Sequence, residues 1–251
     1  MFTKKRLLAT LGIVIFMLGM IIGIAFIGIT TWGNLEAYWF FPSRIATSGI
    51  RGLNCPVMMT PGETGVITLH VRNPHDFVIR PTVLSTISSG YYIDEAEFTK
   101  QNLVLDPGDS YIARWEFSEE NAVYGQFVMA RIESRTPYPT ARLQGSCAIF
   151  VLDLPGVNSL LIMIVGGILC AALSLGGLYL WRKFHNEKLE ANLHTTRGMF
   201  LLFVIVTIGI ATSFLRIWMV SLVTLVAALV LLVSTLTLIS YTSSGDTKAS
   251  L

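Results

Sequence analysis

Charged residues are scarce in this sequence and are missing altogether from long stretches of it. Only 14% of the 251 residues are Asp, Glu, Lys or Arg, whereas 53% are hydrophobic. This balance excludes an ordinary water-soluble domain. The charge-free stretches lie at the start and in the C-terminal part, and nearly all acidic residues lie between them. We therefore expect the chain to occupy two environments, a lipid bilayer and an aqueous compartment.

Motifs for catalysis and cofactor binding are also missing. The sequence has no Ser-His-Asp spacing, HExxH zinc motif, phosphate-binding glycine loop or flavin fingerprint. Its apolar stretches lack ionisable side chains, which proton relays and ion pathways in membranes generally require. We therefore expect a chain that is not an enzyme, does not transport by itself, and binds neither a cofactor nor nucleic acid.

Four apolar segments are long enough to cross a membrane. Residues 7–31 follow the basic residues Lys4, Lys5 and Arg6. This apolar segment is longer than that of a signal peptide and is not followed by a cleavage site. Residues 1–31 are therefore predicted to form an uncleaved membrane anchor. A second segment covers 156–181. The tract 199–241 is about twice as long as one crossing requires. It therefore predicts two helices, 199–215 and 218–241, that turn near the single charge Arg216.

The distribution of basic residues predicts the orientation. With four spans and an internal N-terminus, the inner pieces are 1–6, the loop 182–198 and the tail 242–251, and they carry an excess of Lys and Arg. The region 32–155 is acidic overall. Because short inner loops are enriched in positive charge, we expect a multi-pass protein of the cytoplasmic membrane with both termini cytoplasmic and an extracytoplasmic middle region.

The chain has three cysteines. Cys55 and Cys147 bracket the middle region, where an oxidising exterior would allow them to form a disulfide. Two unpaired buried thiols are the alternative. Cys170 lies in the second span, where a cysteine usually serves as a small packing residue.

The middle region alternates apolar and polar residues with the period of a strand. After the turn signal Thr60-Pro-Gly-Glu63, the apolar residues Ile67, Leu69 and Val71 alternate with polar ones until Asn73-Pro74. Similar units follow at 77–87, 102–105, 111–117, 123–133 and 143–152. This spacing predicts about seven or eight strands of an antiparallel sandwich.

The turn motifs resemble those of a known family. Met59-Thr-Pro-Gly-Glu63, the strand ending Val71-Arg-Asn-Pro74, and Leu105-Asp-Pro-Gly-Asp109 before an aromatic-bearing strand look like bacterial Ig-like sandwiches of the cell-adhesion-related, CARDB-like type. The resemblance covers about residues 52–135 and implies a fold rather than a function. The expected fold class is a mixed membrane protein: four transmembrane α-helices plus an extracytoplasmic all-β Ig-like sandwich, 52–155, inserted between helices 1 and 2.

Aromatic residues cluster next to the predicted spans. Amphipathic rings settle at the level of the lipid headgroups, so they predict membrane-interface anchors, several of them in an interfacial linker over 32–51. These anchors are Trp32, Tyr38, Trp39, Phe40, Trp181 and Trp218.

Small residues recur along the spans at helix-packing intervals, which lets helices approach closely. They predict either association with a partner helix or packing within this chain, and the sequence leaves both open. The residues are Gly19 and Gly23 in the first span, Gly167, Ala171, Ala172 and Gly176 in the second, and Ser221, Thr224, Ala228 and Thr235 in the fourth.

These features predict an accessory or assembly subunit that binds partners through its sandwich and its small-residue helix faces. The expected partners are other membrane proteins, an extracytoplasmic protein or a second copy of the chain. The alternative is a subunit of a membrane enzyme or transporter whose β-domain shapes substrate access or binds metal through His70 and His75. The pattern favours ordinary surface histidines, with no metal. A sensor is a third possibility, opposed by the small inner portion.

Overall fold

A computed structural model describes residues 2–40, 48–50, 52–90, 95–135, 143–184 and 190–248. The chain divides into two compact units. The first contains Met1–Thr31 and Met163–Leu251 and is helical, and the second, Trp32–Ile162, contains the strands. The expected fold class is thus confirmed as four apolar helices and a β-sheet region.

The helices are α1 (Phe2–Phe40), α2 (Ser159–Phe184), α3 (Glu190–Phe214) and α4 (Trp218–Lys248). Each contains a stretch that is long and apolar enough to cross a membrane. Helices suit this role because all their backbone hydrogen bonds are internal. Within the helical unit, Phe16, Met20 and Ile27 of α1 are fully buried and pack with Leu202 and Val206 of α3.

All four helices extend beyond the predicted spans, α2 by three residues to Phe184. Helix α1 continues past residue 31 to Phe40, so the first part of the predicted linker 32–51 is helical, and residues 41–47 and 51 lie outside the described part. Helix α3 begins at Glu190, inside the predicted loop 182–198, and α4 continues past residue 241. No proline interrupts these extensions, so their backbone hydrogen bonds continue.

The turn between α3 and α4 lies between Phe214 and Trp218 and contains neither glycine nor proline. Arg216 has a φ of 61°, the left-handed conformation, which is uncommon for a residue other than glycine. The N–H of Ile217 donates to the carbonyl of Thr212 at 3.0 Å and closes the end of α3. Burial lowers the pKa of Arg216 to about 10, so its side chain stays charged at neutral pH.

The described part of the second unit contains ten strands in two sheets. The first sheet has the order β1-β10-β9-β5-β6, with β3 also on β10 and β8 on β9, and the second has the order β2-β4-β7. The strands are β1 (Ser48–Gly49), β2 (Leu53–Asn54), β3 (Met58–Met59), β4 (Gly65–Arg72), β5 (Thr82–Ser88), β6 (Ala96–Asn102), β7 (Ser110–Phe117), β8 (Ala122–Val123), β9 (Phe127–Arg135) and β10 (Leu143–Val151).

The inner faces of the two sheets enclose one apolar core. Ile67 and Leu69 of β4 and Trp115 of β7 pack with Val128 and Ile132 of β9. In β4 the buried residues alternate with more exposed ones, because successive side chains of a strand point to opposite faces. The predicted alternation in β4 and β7 is confirmed.

Both Pro-Gly turns have the conformation that their sequence predicts. Gly62 and Gly108 have φ angles of 86° and 83°, which glycine adopts without steric cost after a proline at the preceding turn position. The N–H of Glu63 donates to the carbonyl of Thr60, and the N–H of Asp109 to that of Asp106. These turns are the part of the sequence that carries the CARDB-like resemblance.

Candidate functional site

The predicted disulfide is present between Cys55 and Cys147, which are 92 residues apart in sequence. Cys147 lies in β10 of the first sheet, and Cys55 follows β2 of the second. Both residues are buried in the core between the sheets. Cys170 is a free, buried cysteine, and its Sγ lies 3.2 Å from the carbonyl oxygen of Gly19.

The last two turns of α1 pack on the outer side of the first sheet. Ala37 is fully buried in a cluster that includes Phe127, Met129 and Ala148. A Cβ on Gly33 would lie 2.8 Å from the ring of Phe127, so a glycine is needed for this close approach. The described residues 32–40 therefore pack as part of the sandwich unit.

Asn34 of α1 accepts a backbone hydrogen bond from an unpaired part of the edge of the first sheet. β10 pairs with β1 through Leu143 and Gln144 and with β3 through Phe150 and Val151, which leaves its edge open between these contacts. There the N–H of Ala148 donates to Oδ1 of Asn34 at 3.3 Å. A side chain of α1 thus supplies the hydrogen bond that a neighbouring strand would otherwise provide.

Three predicted interface anchors lie on this helical segment with their rings exposed. The exposed fractions of Trp32, Tyr38 and Trp39 are 57%, 54% and 71%. Phe40 is the last residue of α1, and its side chain lies outside the described part of the chain. The anchor role of Trp32, Tyr38 and Trp39 stays a prediction.

The other two predicted anchors, Trp181 and Trp218, are less exposed. Trp181 is 5% exposed, and its indole N–H donates to the hydroxyl of Thr196 at 3.1 Å. It is buried because α1 approaches α2 at this point: a Cβ on Gly12 would lie 2.8 Å from the backbone N of Trp181. We therefore correct its predicted role from interface anchor to helix packing. Trp218, half-buried, is the first residue of α4.

The first turn of α2 is fixed to a turn of the sandwich by Glu63. Its carboxylate accepts hydrogen bonds from the N–H groups of Thr60 and Ser159, both at 2.9 Å. The hydroxyl of Thr60 donates to the carbonyl of Val157 at 2.7 Å. Asn158 caps the next N–H group, that of Leu160, at 2.8 Å. Two side chains thus satisfy amide groups that the start of a helix leaves without partners.

The electrostatics of Glu63 favour its ionised form. Burial alone raises the pKa of a carboxyl group, but the hydrogen bonds from Ser159 and Thr60 outweigh burial and lower the pKa of Glu63 below its ordinary value of 4.5. A second carboxylate, that of Glu119, accepts a hydrogen bond from the N–H of Gly62 in the same turn. The turn and the helix start are therefore held by negatively charged acceptors.

Asn73 holds two loops together at the other end of β4. The residue is fully buried, and its Nδ2 donates to the carbonyls of Phe77, Leu105 and Asp106 at 2.8, 3.0 and 3.0 Å. Its Oδ1 accepts the N–H of His75 at 3.0 Å. The sequence identifies Asn73 only as the end of a strand, whereas the structure shows that it organises the loops 74–78 and 103–109.

Several large apolar side chains of the sandwich are exposed rather than buried. Their exposed fractions range from 40% for Val66 to 65% for Val104. Isolated exposed apolar residues are common, but side chains grouped in one region indicate an interaction surface. The exposed large apolar residues of the described sandwich are Val66, Phe77, Val78, Phe98, Val104, Tyr111, Ile112, Tyr124 and Leu154.

Gly19 and Gly23 of α1 face neighbouring helices of the same chain. A Cβ on Gly19 would lie 2.5 Å from the hydroxyl of Ser174, and one on Gly23 would lie 2.6 Å from Val206. On α2, Gly177 makes the close contact, with its Cβ position 2.4 Å from the backbone N of Phe16. The side of α2 that faces α1 is therefore that of Gly177, next to the predicted Gly176.

The four small residues predicted on α2 do not make this contact, and they do not share one side of the helix. A Cβ on Gly167 or on Gly176 would meet no atom within 4 Å in the described structure. Ala172 is exposed, and Ala171 is half-buried. Positions 167, 172 and 176 are thus open to lipid or to another helix.

The small residues of α4 face α3. Ser221, Ala228 and Thr235 are all buried, and Thr224 lies 2.9 Å from the position of a Cβ on Gly209. The hydroxyl oxygen of Thr235 lies 3.4 Å from the position of a Cβ on Gly198. For this stripe the structure shows packing within the chain, one of the two alternatives.

Hydroxyl groups of three helices form a buried cluster at the α3–α4 turn. The hydroxyl of Thr30 donates to that of Ser213 at 3.1 Å, and Ser213 lies 3.4 Å from Ser221. The hydroxyl of Ser221 in turn donates to that of Thr212 at 3.0 Å. These contacts connect α1 to both helices of the hairpin.

His70 and His75, the two possible metal ligands, have different neighbours in the structure. His70 is exposed on β4 opposite Ile112, and the ring of His75 stacks on Phe77 with centroids 4.9 Å apart. Cys55 is used in the disulfide. Within the described ranges there is no group of three or more His, Cys, Asp or Glu residues that could hold a metal ion.

No protein-family model matches the chain, and no curated protein matches it. Among solved structures, the CARDB domain of a Pyrococcus furiosus protein in complex with di-metal ions matches 40% of this chain and 90% of that chain, with 13% identity and a TM-score of 0.29. A CARDB domain is thus among the structures that the chain resembles, as the turn motifs predict.

The other matches are to segments of much larger proteins. A β-glucuronidase from Bacteroides uniformis matches 39% of this chain at 16% identity and a TM-score of 0.28, and this chain covers 13% of it. A β-glucosidase from Listeria innocua matches 40% at 11% identity and a TM-score of 0.28, and 15% of it is covered. These likenesses carry no conclusion about activity.

Proposed function

We propose that this chain is a non-catalytic accessory or assembly subunit of a membrane protein complex. Its four helices hold it in the cytoplasmic membrane, and its sandwich binds another protein outside. The observation that carries this proposal is the exposure of Val78 and Val104, 48% and 65%, on two neighbouring segments joined at the Ile79–Leu105 bridge. Loops and edges of an Ig-like fold are common sites of protein recognition.

The proposed orientation has two supports. The inner pieces carry the excess of Lys and Arg, which favours their retention in the cytoplasm. The Cys55–Cys147 disulfide is of the kind that persists in an oxidising compartment. The sandwich is therefore proposed to be extracytoplasmic, with both chain termini inside.

The helices offer a second contact surface. A Cβ on Gly167 of α2 would meet no atom of the described chain within 4 Å, and a small residue there would let a partner helix approach closely. We include lateral association through this face in the proposed role.

Two experiments test the proposal. Asp76 and Arg197 are both exposed, and each is replaced by cysteine for labelling with a membrane-impermeant maleimide. Asp76→Cys should react in intact cells, and Arg197→Cys only after permeabilisation; the reverse pattern would show that the orientation is wrong. For the role itself, the chain extracted in two mild detergents should carry another polypeptide in a constant ratio, and a chain that is always alone would contradict it.

A further inference from the structure

One edge of the first sheet is long, regular and unpaired. Among the described strands, β6 pairs only with β5 and ends the sheet. The ladder between them continues in the same register at both ends: the N–H of Ser89 donates to the carbonyl of Glu95, and Ile79 and Leu105 exchange two backbone hydrogen bonds of 3.0 Å. The edge therefore runs from Glu95 to Leu105, about 35 Å, without a bulge and without a proline.

The free backbone groups of this edge lie at every second residue. In an antiparallel ladder, alternate residues direct both their N–H and their C=O to the same neighbouring strand. Glu95 and Leu105 are bonded to the β5 side, so the odd-numbered residues face β5. The even-numbered residues direct their N–H and C=O groups away from the sheet, about 7 Å apart. They are Ala96, Phe98, Lys100, Asn102 and Val104, and all five are exposed.

The side chains of these five residues lie on the outer face of the sheet. Val83 and Ile87 of β5 belong to the core between the sheets and stand opposite Gln101 and Glu97, so the odd-numbered side chains of the edge are on the core side. On the outer face, the large apolar side chains of residues 98 and 104 are 64% and 65% exposed. Prolines, bulges and charges normally protect an edge, and here the outer face carries one charge, at position 100.

The free edge of the second sheet is better protected. β7 pairs only with β4 among the described strands. The N–H of Asn73 donates to the carbonyl of Asp109, so the odd-numbered residues of β7 face β4 and the even-numbered ones face outward. Two of these four outward residues are charged, and charges oppose pairing with another strand. They are Ser110, Ile112, Arg114 and Glu116.

A second copy of the chain does not suit the β6 edge. Two β6 strands that extend one sheet symmetrically are related by a twofold axis perpendicular to it, and this axis reverses every direction within the sheet. α1 rests along the outer side of the same sheet through Gly33 and Ala37, so the two α1 helices would point in opposite directions. Copies inserted in one membrane have α1 helices that point the same way. The occupant is therefore a different polypeptide.

We propose that β6 binds an extended segment of another protein, which adds a strand to the first sheet. A row of N–H and C=O groups at every second residue is complementary to the backbone of such a segment. On the outer face, apolar residues of the segment would contact Phe98 and Val104, and an acidic residue would lie beside Lys100. This inference rests on the proposed function, because it names the edge and the kind of segment through which an accessory subunit would bind its partner.

Site-specific photo-crosslinking in intact cells tests the location. Benzoylphenylalanine replaces Phe98 in one variant and Ile112, on the outward side of β7, in the control. Position 98 should crosslink to a segment of another protein that position 112 does not reach. Crosslinks to lipid or to a second copy alone, or no crosslink at all, would overturn the inference. If the extracted chain then still carries another polypeptide, the accessory role stands, and if it carries none, both proposals fail.

Proline substitution tests whether the backbone makes the contact. Asn102→Pro removes an N–H that points away from the sheet and leaves the ladder to β5 intact. It should lower the crosslinking yield from position 98 at least about threefold. Asn102→Ala, which keeps the N–H, and Arg114→Pro, on the free edge of β7, should leave the yield unchanged. Full crosslinking in a folded Asn102→Pro protein, or an equal loss in Asn102→Ala, would overturn the inference.

Hydrogen exchange provides a test without any substitution. In the co-purified complex, the outward amides of Phe98, Lys100 and Asn102 should exchange at least about tenfold more slowly than in the chain alone. The outward amides of Ile112 and Arg114 on β7 should keep their rates. Unchanged exchange at the β6 amides in a complex that contains the partner would overturn the inference and leave the accessory role intact.

Discussion

The carboxylate of Glu63 accepts a hydrogen bond of 2.9 Å from the backbone N–H of Ser159, the first residue of α2, across 96 residues of sequence. The same carboxylate accepts the N–H of Thr60 within its own turn. One side chain therefore stabilises a turn between strands and the beginning of a helix, and its ionisation state affects both.

We expect Glu63→Gln to lower the stability of the sandwich by about 0.5–1 kcal/mol at neutral pH, since a neutral amide accepts these hydrogen bonds less well. The folded-state pKa of Glu63 lies below its ordinary value of 4.5, so this stabilisation is fully present above pH 4.5 and is lost as the pH falls through the folded-state pKa. The difference in unfolding midpoint between the variant and the parent should therefore shrink on acidification. Glu120→Gln, at a neighbouring exposed position, serves as a control and should show no such difference.

Asn73 should be among the most sensitive polar residues of the sandwich. Asn73→Ala removes the donors for three carbonyls at a fully buried position and should cost about 2–4 kcal/mol. Asn73→Asp should be worse at neutral pH, because a carboxylate would face these carbonyls in place of a donor. Denaturant midpoints measure both effects, with the exposed Asn102→Ala as the control. Equal stability of Asn73→Ala and Asn102→Ala would show that the loops hold together without this residue.

Reduction of the disulfide should destabilise the sandwich by about 4–5 kcal/mol, because the Cys55–Cys147 bond closes a loop of 92 residues. The paired variant Cys55→Ser, Cys147→Ser should reproduce the loss in denaturant titrations. Thiol counting provides a direct check. The denatured protein should react with one equivalent of maleimide, at Cys170, without reductant and with three after reduction.

The two glycines Gly19 and Gly167 should respond differently to the same substitution. Gly19→Leu places a side chain where even a Cβ would lie 2.5 Å from Ser174, so it should disrupt the packing of α1 on α2 and lower the yield of folded protein. Gly167→Leu meets no described neighbour and should leave the fold intact. If α2 associates with a partner helix, this variant should still lose co-purifying chains. Retention of all partners by a folded Gly167→Leu protein would remove that face from the proposed role.

The hydroxyl cluster should make a moderate contribution to the helical unit. Ser213→Ala removes hydrogen-bonding contacts to Thr30 and Ser221 and should cost about 0.5–1.5 kcal/mol in detergent-induced unfolding. Thr207→Ala is the matched control, since Thr207 is exposed and donates only to the carbonyl of Phe203 one turn earlier. Equal effects of the two substitutions would show that the contacts between helices contribute nothing beyond local hydrogen bonding.

The sequence predicts those strands whose buried and exposed residues differ in polarity. β4 and β7 have apolar inner residues and mostly polar outer ones, and both are found where the alternation places them. β6 is not predicted, because it is an edge strand with the polar residues Thr99 and Gln101 at half-buried positions and the apolar Phe98 exposed. Its pairing with β5 is therefore a consequence of tertiary structure rather than of its own pattern.

The helix contacts are harder to derive for a different reason. A helix that is apolar on all sides gives no sign of which face meets another helix. On α2 the adjacent Gly176 and Gly177 are equivalent in the sequence, yet only Gly177 contacts α1. Likewise, the helical course of residues 32–40 depends on contacts of Gly33 and Ala37 with strands that come about a hundred residues later.

Those contacts determine when the sandwich can be completed during biosynthesis. α1 is synthesised before the strands, but the surface on which its last two turns rest contains Phe127 and Ala148, which are synthesised much later. β1 and β3, which precede most of the domain in sequence, also pair with β10. The sandwich therefore cannot close before β10 has been synthesised, and until then it exposes apolar surface that a chaperone would have to protect.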